Sequence, residues 1–354
     1  MGKISAEKQK RIDAFRAKQK KRYGSELLLR TADKVLDYPV LSTGNPYFDY
    51  GLFGIGGIPK GALTLVHGLE SSCKTSVCLQ IVSNILEENQ EMTALFIDVE
   101  QMLIQSHLRM FPGLNTDRFE VLNPHLAEDA LGTSLEAIGA YDIIVIDSLA
   151  KLLPKDSDGK DIGIEARMGE VARKITKWCD KMSYPLRKSN TIMLAITQER
   201  DKIDAMAFGE KTQIPGGKQL KFTSGVILQL KKIGKLTKKI TKNGKTITLH
   251  IGNKISFHIR KNKVGGLEGS KGDMEFRFGR GFNSNEGYVR QLVADGHLQA
   301  LPMKCFKFAD EDIYCEKFKL KDFPVILEEK KEEIDALFQT NLEKQDYDDE
   351  TPWD

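Results

Sequence analysis

Residues 63–75, LTLVHGLESSCKT, decide how the rest of the chain is interpreted. The mostly apolar run LTLVH is typical of a buried parallel strand, and Gly68 follows it directly. Four further residues lead to Cys73, Lys74 and Thr75, and the next stretch, SVCLQIVSNIL, has helical spacing. A strand, a glycine, a short loop, Lys-Thr and a helix form the layout of a phosphate-binding loop.

The chemistry of such a loop follows from its backbone. N–H groups at a helix start point at a bound anion, and the helix dipole adds to the attraction. We expect Lys74 to reach the outer phosphates and the Thr75 hydroxyl to hold Mg²⁺. The residue before the lysine is normally glycine, and it is Cys73 here. The alternative is a helix start that merely carries Lys-Thr. The candidate loop residues are Gly68, Leu69, Glu70, Ser71, Ser72, Cys73, Lys74 and Thr75.

Length and composition bound the class of protein. With 354 residues the chain can form one main domain with smaller flanking pieces. Its apolar runs are far shorter than a membrane span, and the charged N-terminus lacks the apolar core of a signal peptide. Five cysteines without metal-ligand spacing favour a reduced, cytoplasmic protein with no membrane partner.

The net charge of +3 hides an uneven distribution. Residues 1–30 carry ten Lys/Arg against three acids, and residues 231–280 carry fourteen against three. Residues 328–354 carry eleven acids against three bases. A basic body with an acidic tail suits a polyanionic partner such as nucleic acid, with which the tail would compete. Solvated surface faces are the alternative interpretation of these charge runs.

The order of apolar runs predicts an α/β fold with a mostly parallel sheet. A polar N-terminal helix with a narrow apolar seam comes first, and it should dock on its own domain or on a neighbouring subunit. We predict an N-terminal oligomerisation segment at 1–35, an ATPase-like core at 36–280, a small α/β domain at 281–345 and a disordered acidic tail at 346–354. The predicted core strands are 63–67, 93–100, 141–148, 191–198 and 225–232, followed by a hairpin of 245–252 with 254–263 and by 274–278.

Three polar residues close predicted parallel strands. Glu100, Asp147 and Gln198 each stand at the carboxyl end of an apolar run, where open α/β sheets bind ligands. They suit a water-activating carboxylate, a Mg²⁺-coordinating carboxylate and a phosphate sensor, as phosphoryl transfer to water requires. A single acid at such a place is more often a helix cap or a solvated loop residue. The presence of all three polar residues in a sheet that begins with a phosphate-binding loop favours the functional interpretation.

Two long loops follow strand ends and are rich in glycine and charge. They span about 154–169 and 199–218, and loops of this length in a compact domain are usually functional or disordered. Their cations, and the Gly216–Gly217 pair that allows close backbone approach, suit a groove along a phosphate backbone. A plain surface lid is the alternative.

The chain resembles the RecA recombinases over about residues 5–280. The motifs that carry the resemblance are LSTGNPYFDYGLFGIGGIPKG, HGLESSCKT, ALFIDVEQ, IIVIDSLAKLLPK, ARMGEVARK, TQERDKI, PGGKQLKF and IRKNKV, in order and spacing. The resemblance implies an ATP-dependent, Mg²⁺-dependent filament on single-stranded DNA that pairs it with homologous duplex. It also implies self-assembly through the N-terminal helix, and a single-strand-binding or mediator protein is an open further partner.

The resemblance also implies a role for each matching residue. Within the ATP site formed by the phosphate loop, Glu100 resembles the catalytic base, Asp147 the acid that holds Mg²⁺ through water with Thr75, and Gln198 the γ-phosphate sensor. The resemblance also implies further contacts with ATP, with DNA and between subunits. The residues concerned are His107 beside the adenine, Lys261 and Lys263 on the neighbouring subunit's ATP, Arg167, Arg200, Gly216 and Gly217 on DNA, and Phe222 between subunits.

Several of these residues have simpler interpretations, and some depart from the family. Lys261 and Lys263 could belong to a solvated basic hairpin, Phe222 to the core, and Arg167 to the surface. Cys73 replaces the usual glycine, so its Cβ must fit beside the phosphates and its thiol could have a lowered pKa. His107 stands where the family usually has tyrosine. These departures indicate a divergent member, for which a bacteriophage and its host cytoplasm are one candidate source.

The predicted function is therefore a DNA-dependent ATPase that exchanges strands in recombination and repair. The first alternative is a RecA-like accessory ATPase that binds DNA or a recombinase without strand exchange. A hexameric helicase or a small-molecule kinase on the same core is a further alternative. A kinase, however, would need a substrate lid rather than two cationic, glycine-rich loops.

Overall fold

A computed structural model describes residues 5–23, 37–114, 116–154, 164–201, 212–242 and 245–345. The chain divides into two compact units, residues 1–37 and 38–354. In the first unit, helix α1 (Ala6–Tyr23) is polar and mostly exposed. The helix itself is as predicted, whereas its docking remains a prediction. The tail at 346–354 and much of the two predicted loops lie outside the described residues.

The second unit is built on a nine-stranded sheet. Its strand order is β13-β12-β11-β10-β3-β7-β6-β4-β5, in which the six strands from β10 to β5 are parallel. This confirms the predicted α/β class. The strand bounds are β3 Leu63–Gly68, β4 Ala94–Asp98, β5 Phe119–Leu122, β6 Ile143–Asp147, β7 Ile192–Gln198, β10 Val226–Lys242, β11 Lys245–Asn262, β12 Lys271–Arg277 and β13 Gly281–Phe282.

Helices cover both faces of this sheet because its parallel strands are apolar on both sides. Helix α2 (Lys74–Glu88) packs on one face, and helices α4 (Ala127–Glu136) and α5 (Ile164–Ser189) pack on the other. Short elements connect the layers. They are β1 Val40–Leu41, β2 Ile58–Pro59, α3 Gln105–Leu108, β8 Arg200–Asp201, β9 Thr212–Gln213 and α6 Gly217–Thr223.

A separate apolar cluster forms the C-terminal part, where the sequence predicts a small α/β piece. Buried residues such as Leu292, Phe323 and Phe338 make up this cluster. The acidic stretch from residue 328 spans two helices, of which one ends at Glu329 and the other begins at Lys331. The elements are α7 Ser284–Ala294, β14 Leu298–Leu301, β15 Cys305–Phe308, β16 Phe318–Lys319, α8 Phe323–Glu329 and α9 Lys331–Gln345.

The predicted hairpin between 245–252 and 254–263 is wrong. Both segments belong to one strand, β11, which pairs antiparallel with an equally long β10. The register joins Lys242 to Lys245 across the Asn243–Gly244 pair, and Asn-Gly is the strongest short-range hairpin signal. Gly252, read as a strand end, instead lies where its missing Cβ lets the Phe276 carbonyl approach, since a Cβ would be 2.1 Å from that oxygen.

The sequence analysis did not predict strand β5. The strand reads FEVL, which is short and carries an exposed Glu120, so it lacks the continuous apolar run of its neighbours.

Within the described residues, no helix is both long and apolar enough for a bilayer.

The buried indole of Trp178 ties α5 to α4, and it gives a stability prediction. Its Nε1–H donates to the Ser134 hydroxyl at 2.9 Å, and both side chains are buried. Ser134→Ala leaves the indole N–H without its acceptor and should lower the free energy of unfolding by about 1–3 kcal/mol. Urea titration would measure this, with the exposed Ser106→Ala as a control. Equal unfolding midpoints for the two variants would contradict the assignment.

Candidate nucleotide site and subunit face

The carboxyl edge of the parallel sheet opens into a cavity of about 1020 Å³. The phosphate loop, the ends of β6 and β7, and one face of the β10–β11 ribbon all border this cavity. Most of the predicted site residues are therefore brought together. They include Glu70, Ser71, Ser72, Cys73, Lys74, Thr75, Glu100, His107, Asp147 and Gln198.

The loop backbone explains why glycine recurs in such loops. Gly68 lies against β10, where an added Cβ would be 2.2 Å from the Leu230 carbonyl oxygen. Cys73 adopts φ 63°, ψ 25° directly before helix α2. A left-handed residue with a Cβ costs about 1–2 kcal/mol relative to glycine. The Ser72 hydroxyl and the Lys74 ammonium both donate to the Leu69 carbonyl, at 2.7 and 2.9 Å.

The pKa of the Cys73 thiol is raised, whereas we expected a lowered pKa and a reactive thiol. Burial raises the pKa of Cys73, although the side chain of Asn253 and the charges of Lys232 and Lys74 oppose this shift. The thiol therefore stays protonated at neutral pH, and the expectation of a lowered pKa is wrong. The sequence could not show that the distant β10–β11 ribbon would enclose the loop.

Thr75 and Asp147 form an oxygen-only pair that fits Mg²⁺. The Thr75 hydroxyl donates to Asp147 Oδ2 at 2.5 Å. Burial is the main cause that raises the pKa of Asp147 to about 7, and the Glu100 and Asp98 carboxylates act in the same direction, against the hydrogen bond from Thr75. A desolvated carboxylate beside other acids is a group that a cation would neutralise. Mg²⁺ uses one or two such protein oxygens together with phosphates and water.

Glu100 stands just beyond the end of β4, at the rim of the cavity. Its Oε1 accepts a hydrogen bond from the Ser148 hydroxyl at 2.6 Å. Its backbone N–H donates to the Asp147 carbonyl at 3.2 Å, so the two carboxylates are held side by side. Gln198 is the last residue of β7 and is partly exposed to the same cavity. Ser148 was missed because a serine after a strand has no distinctive pattern.

The cavity is lined by the predicted His107 and also by residues that the sequence did not single out. Phe278 is one of these, and its side chain is 50% exposed. Two flat rings that line one cavity suit a purine base. Lys232 and Asn253 come from the ribbon. They are more than 150 positions from the phosphate loop, so only the pairing of β10 with β3 shows that they belong here.

A second cavity of about 540 Å³ lies beside helix α6. Lys261, Lys263 and Phe222 line it, and Phe222 is 65% exposed rather than part of the core. The Lys261 ammonium donates to the carbonyls of Lys221, Phe222 and Ser224 at 2.5–3.1 Å, and so caps the end of α6. Burial and the neighbouring Lys263 lower the pKa of Lys261 to about 8. A simply solvated face does not describe Lys261.

The predicted DNA-side residues are placed only in part. Gly216 and Gly217 have φ of 104° and 84° and start helix α6, so they need the conformational freedom of glycine. Arg167 lies in α5 and Arg200 in β8, but their side chains are outside the described part of the structure. So are residues 155–163 and 202–211 of the two loops. Their contact with DNA remains a prediction.

Comparisons with known proteins identify the family of this chain. The RecA N-terminal domain family matches residues 10–283. This chain belongs to the RecA family. The Dichelobacter nodosus protein RecA is 31% identical over 343 residues, covering 95% of this chain and 93% of that protein. The Sulfurovum protein RecA is 33% identical, covering 83% and 80%. A RadB recombinase structure aligns with a TM-score of 0.46 and 18% identity, over 68% of this chain and 98% of that one.

The raised pKa of Asp147 predicts a pH-dependent response of this RecA-family site to Mg²⁺. Between about pH 4 and 7 the folded carboxyl holds a proton that the unfolded chain has lost, so its contribution to stability falls as the pH rises through 7. Mg²⁺ binds the ionised form. The rise in melting temperature that Mg²⁺ and a non-hydrolysable ATP analogue cause should therefore be larger at pH 8 than at pH 6.

Asp147→Asn is the control for this pH effect, because an amide does not titrate. In that variant the rise in melting temperature should be small, and any difference between the two pH values should reflect only the titration of the nucleotide phosphates. An equal rise for wild type at pH 6 and 8 would contradict the raised pKa.

Proposed function

We propose that this protein is a DNA-dependent ATPase that forms filaments on single-stranded DNA and exchanges strands with homologous duplex. One observation carries this proposal. Lys261 and Lys263 line the second cavity, and neither of them lines the nucleotide cavity. If these lysines contact ATP, as the family resemblance implies, the ATP belongs to another subunit. A site divided in this way supports a head-to-tail assembly, which extends as a helix when the rotation between subunits does not close into a ring.

The nucleotide site itself contains the groups that ATP hydrolysis needs. Lys74 stands beside the Asp147, Glu100 and Glu199 carboxylates, whose charges favour its protonated form although burial lowers its pKa. We assign Glu100 as the base that orients and deprotonates the attacking water. Thr75 and Asp147 would hold Mg²⁺, which supplies charge neutralisation at the phosphates.

Helix α6 supports a link from ATP to DNA. It begins at the Gly216–Gly217 pair that ends the second predicted DNA loop, and Lys261 caps its other end. When a neighbour's γ-phosphate attracts Lys261, the lysine must loosen its hold on the α6 carbonyls. We infer that ATP biases the loop in this way, because the phosphate and the helix end compete for one cation.

The remaining parts of the proposal follow from the same assignment. ATP and Mg²⁺ are the cofactors, single- and double-stranded DNA and further copies of this chain are the partners, and the site of action is the cytoplasm. A single-strand-binding or mediator protein is a further candidate partner. The accessory-ATPase alternative differs in one outcome, since it would bind DNA and hydrolyse ATP without exchanging strands.

Glu100→Gln tests the catalytic assignment. The amide keeps the shape of the side chain but cannot accept a proton, so kcat should fall by about 10²–10⁴-fold. Binding of a fluorescent ATP analogue and of single-stranded DNA should change less than about threefold. The exposed Glu91→Gln is the control and should retain wild-type turnover. Loss of DNA binding in Glu100→Gln would mean that the role is wrong.

Wild-type protein tests the broader proposal in the same assay. Its ATPase rate should rise when single-stranded DNA is added, and the protein should then convert a labelled duplex and its homologous strand into exchanged products. An ATPase rate that single-stranded DNA does not change would refute the recombinase assignment. Stimulated hydrolysis without exchanged products would favour the accessory protein.

A further inference from the structure

One buried carboxylate, Glu199, ties together three strands where the functional loops begin. It directly follows Gln198, and its backbone N–H donates to the Gly68 carbonyl at 3.1 Å. Its Oε1 pairs with His67 Nδ1 at 2.7 Å and accepts a hydrogen bond from Gln229 Nε2 at 2.7 Å. The three side chains thus come from the end of β7, from β3 and from β10.

The geometry makes this connection stiff. His67 and Gln229 are direct partners in the pairing of β3 with β10, so Glu199 reaches across β3 to hold the next strand as well. The side chains of His67 and Glu199 are each 5% exposed. An ionised carboxylate only accepts hydrogen bonds, so the contact with an ionised Glu199 requires the His67 tautomer with its proton on Nδ1. A buried carboxylate is stable only where such donors stay in place.

Glu199 also lies between the two cavities. Gln198, one residue before it, lines the nucleotide cavity. Glu199 itself lines the second cavity together with Lys261 and Phe222. The next residue, Arg200, starts the short strand β8 at the beginning of the second loop. A displacement of Gln198 would therefore be resisted by Glu199, because His67 and Gln229 hold the Glu199 side chain.

We propose that Glu199 is a positioning residue, which holds Gln198 toward the γ-phosphate by anchoring the end of β7 to His67 and Gln229. This inference rests on the proposed ATPase function. Without the Glu199 contacts, the end of β7 would still pair with β3. The backbone that carries the Gln198 side chain would, however, no longer be held in one position. Nucleotide binding through the phosphate loop would persist, whereas the step that depends on exact placement of the γ-phosphate would slow.

Turnover of the full chain tests this role. Glu199→Ala should lower the DNA-stimulated kcat roughly tenfold or more, while the KM for ATP changes less than about twofold. Glu199→Gln keeps the shape and a carbonyl acceptor for Gln229, so it should recover most of the loss. Thr197→Val is the matched control, because its buried hydroxyl has no hydrogen-bond partner among the described residues. It should behave as wild type.

Other outcomes would overturn the proposal. Glu199→Ala with wild-type kcat would show that the anchor does not matter. An equal loss in kcat, ATP affinity and melting temperature would show ordinary packing, as would a Glu199→Gln variant no better than Glu199→Ala.

Hydrogen exchange gives a second test that does not require turnover. An ATP analogue should slow amide exchange at residues 198–201 of the wild type but not of Glu199→Ala, and equal slowing in both would also refute the role. A wild-type ATPase that ignores DNA would refute the proposed function instead. The basal kcat and the exchange rates of the same variants would still decide the role of Glu199.

Discussion

The Asp147 carboxylate is almost fully buried at the inner surface of the nucleotide cavity, and much of the site follows from this constraint. Burial, with a further contribution from the nearby Glu100 and Asp98 carboxylates, raises its pKa to about 7. Such a cluster is unfavourable without a cation, which Lys74 supplies in part and Mg²⁺ would complete. The parallel sheet enforces the cluster because the ends of β4 and β6 are neighbours. The fold therefore creates the electrostatic demand that Mg²⁺ and the phosphates of ATP would meet.

The second consequence concerns assembly. The lysines that would read the γ-phosphate lie on another face of the same chain, and one of them is already occupied with the carbonyls at the end of α6. Under this proposal a single subunit has an incomplete site and a cation whose hydrogen bonds can be exchanged. Two copies arranged head to tail would complete the site and release the helix end together. Nucleotide binding, assembly and the DNA loops would then share one set of interactions.

The sequence was sufficient for the parallel sheet and the phosphate loop because both depend on local patterns. Continuous apolar runs identified β3, β4, β6 and β7, and the polar residues that close the last three runs led to the candidates Glu100, Asp147 and Gln198, which line one cavity. Contacts between distant segments could not be read in this way. The long β10–β11 ribbon, the Asn253 amide beside Cys73, and the Glu199–His67–Gln229 network depend on strand register. The expected reactivity of Cys73 failed for the same reason, since its burial comes from the ribbon.

The central claim is that two subunits share one ATP site, and mixing two variants tests it most directly. Glu100→Gln lacks the base but keeps both lysines, and Lys263→Ala keeps the base and leaves Lys261 on α6. Each variant alone should hydrolyse little ATP on single-stranded DNA. In an equal mixture, the base of one variant meets the intact lysine pair of the other, so the account predicts that ATPase activity returns. A mixture as inactive as its separate components would contradict it.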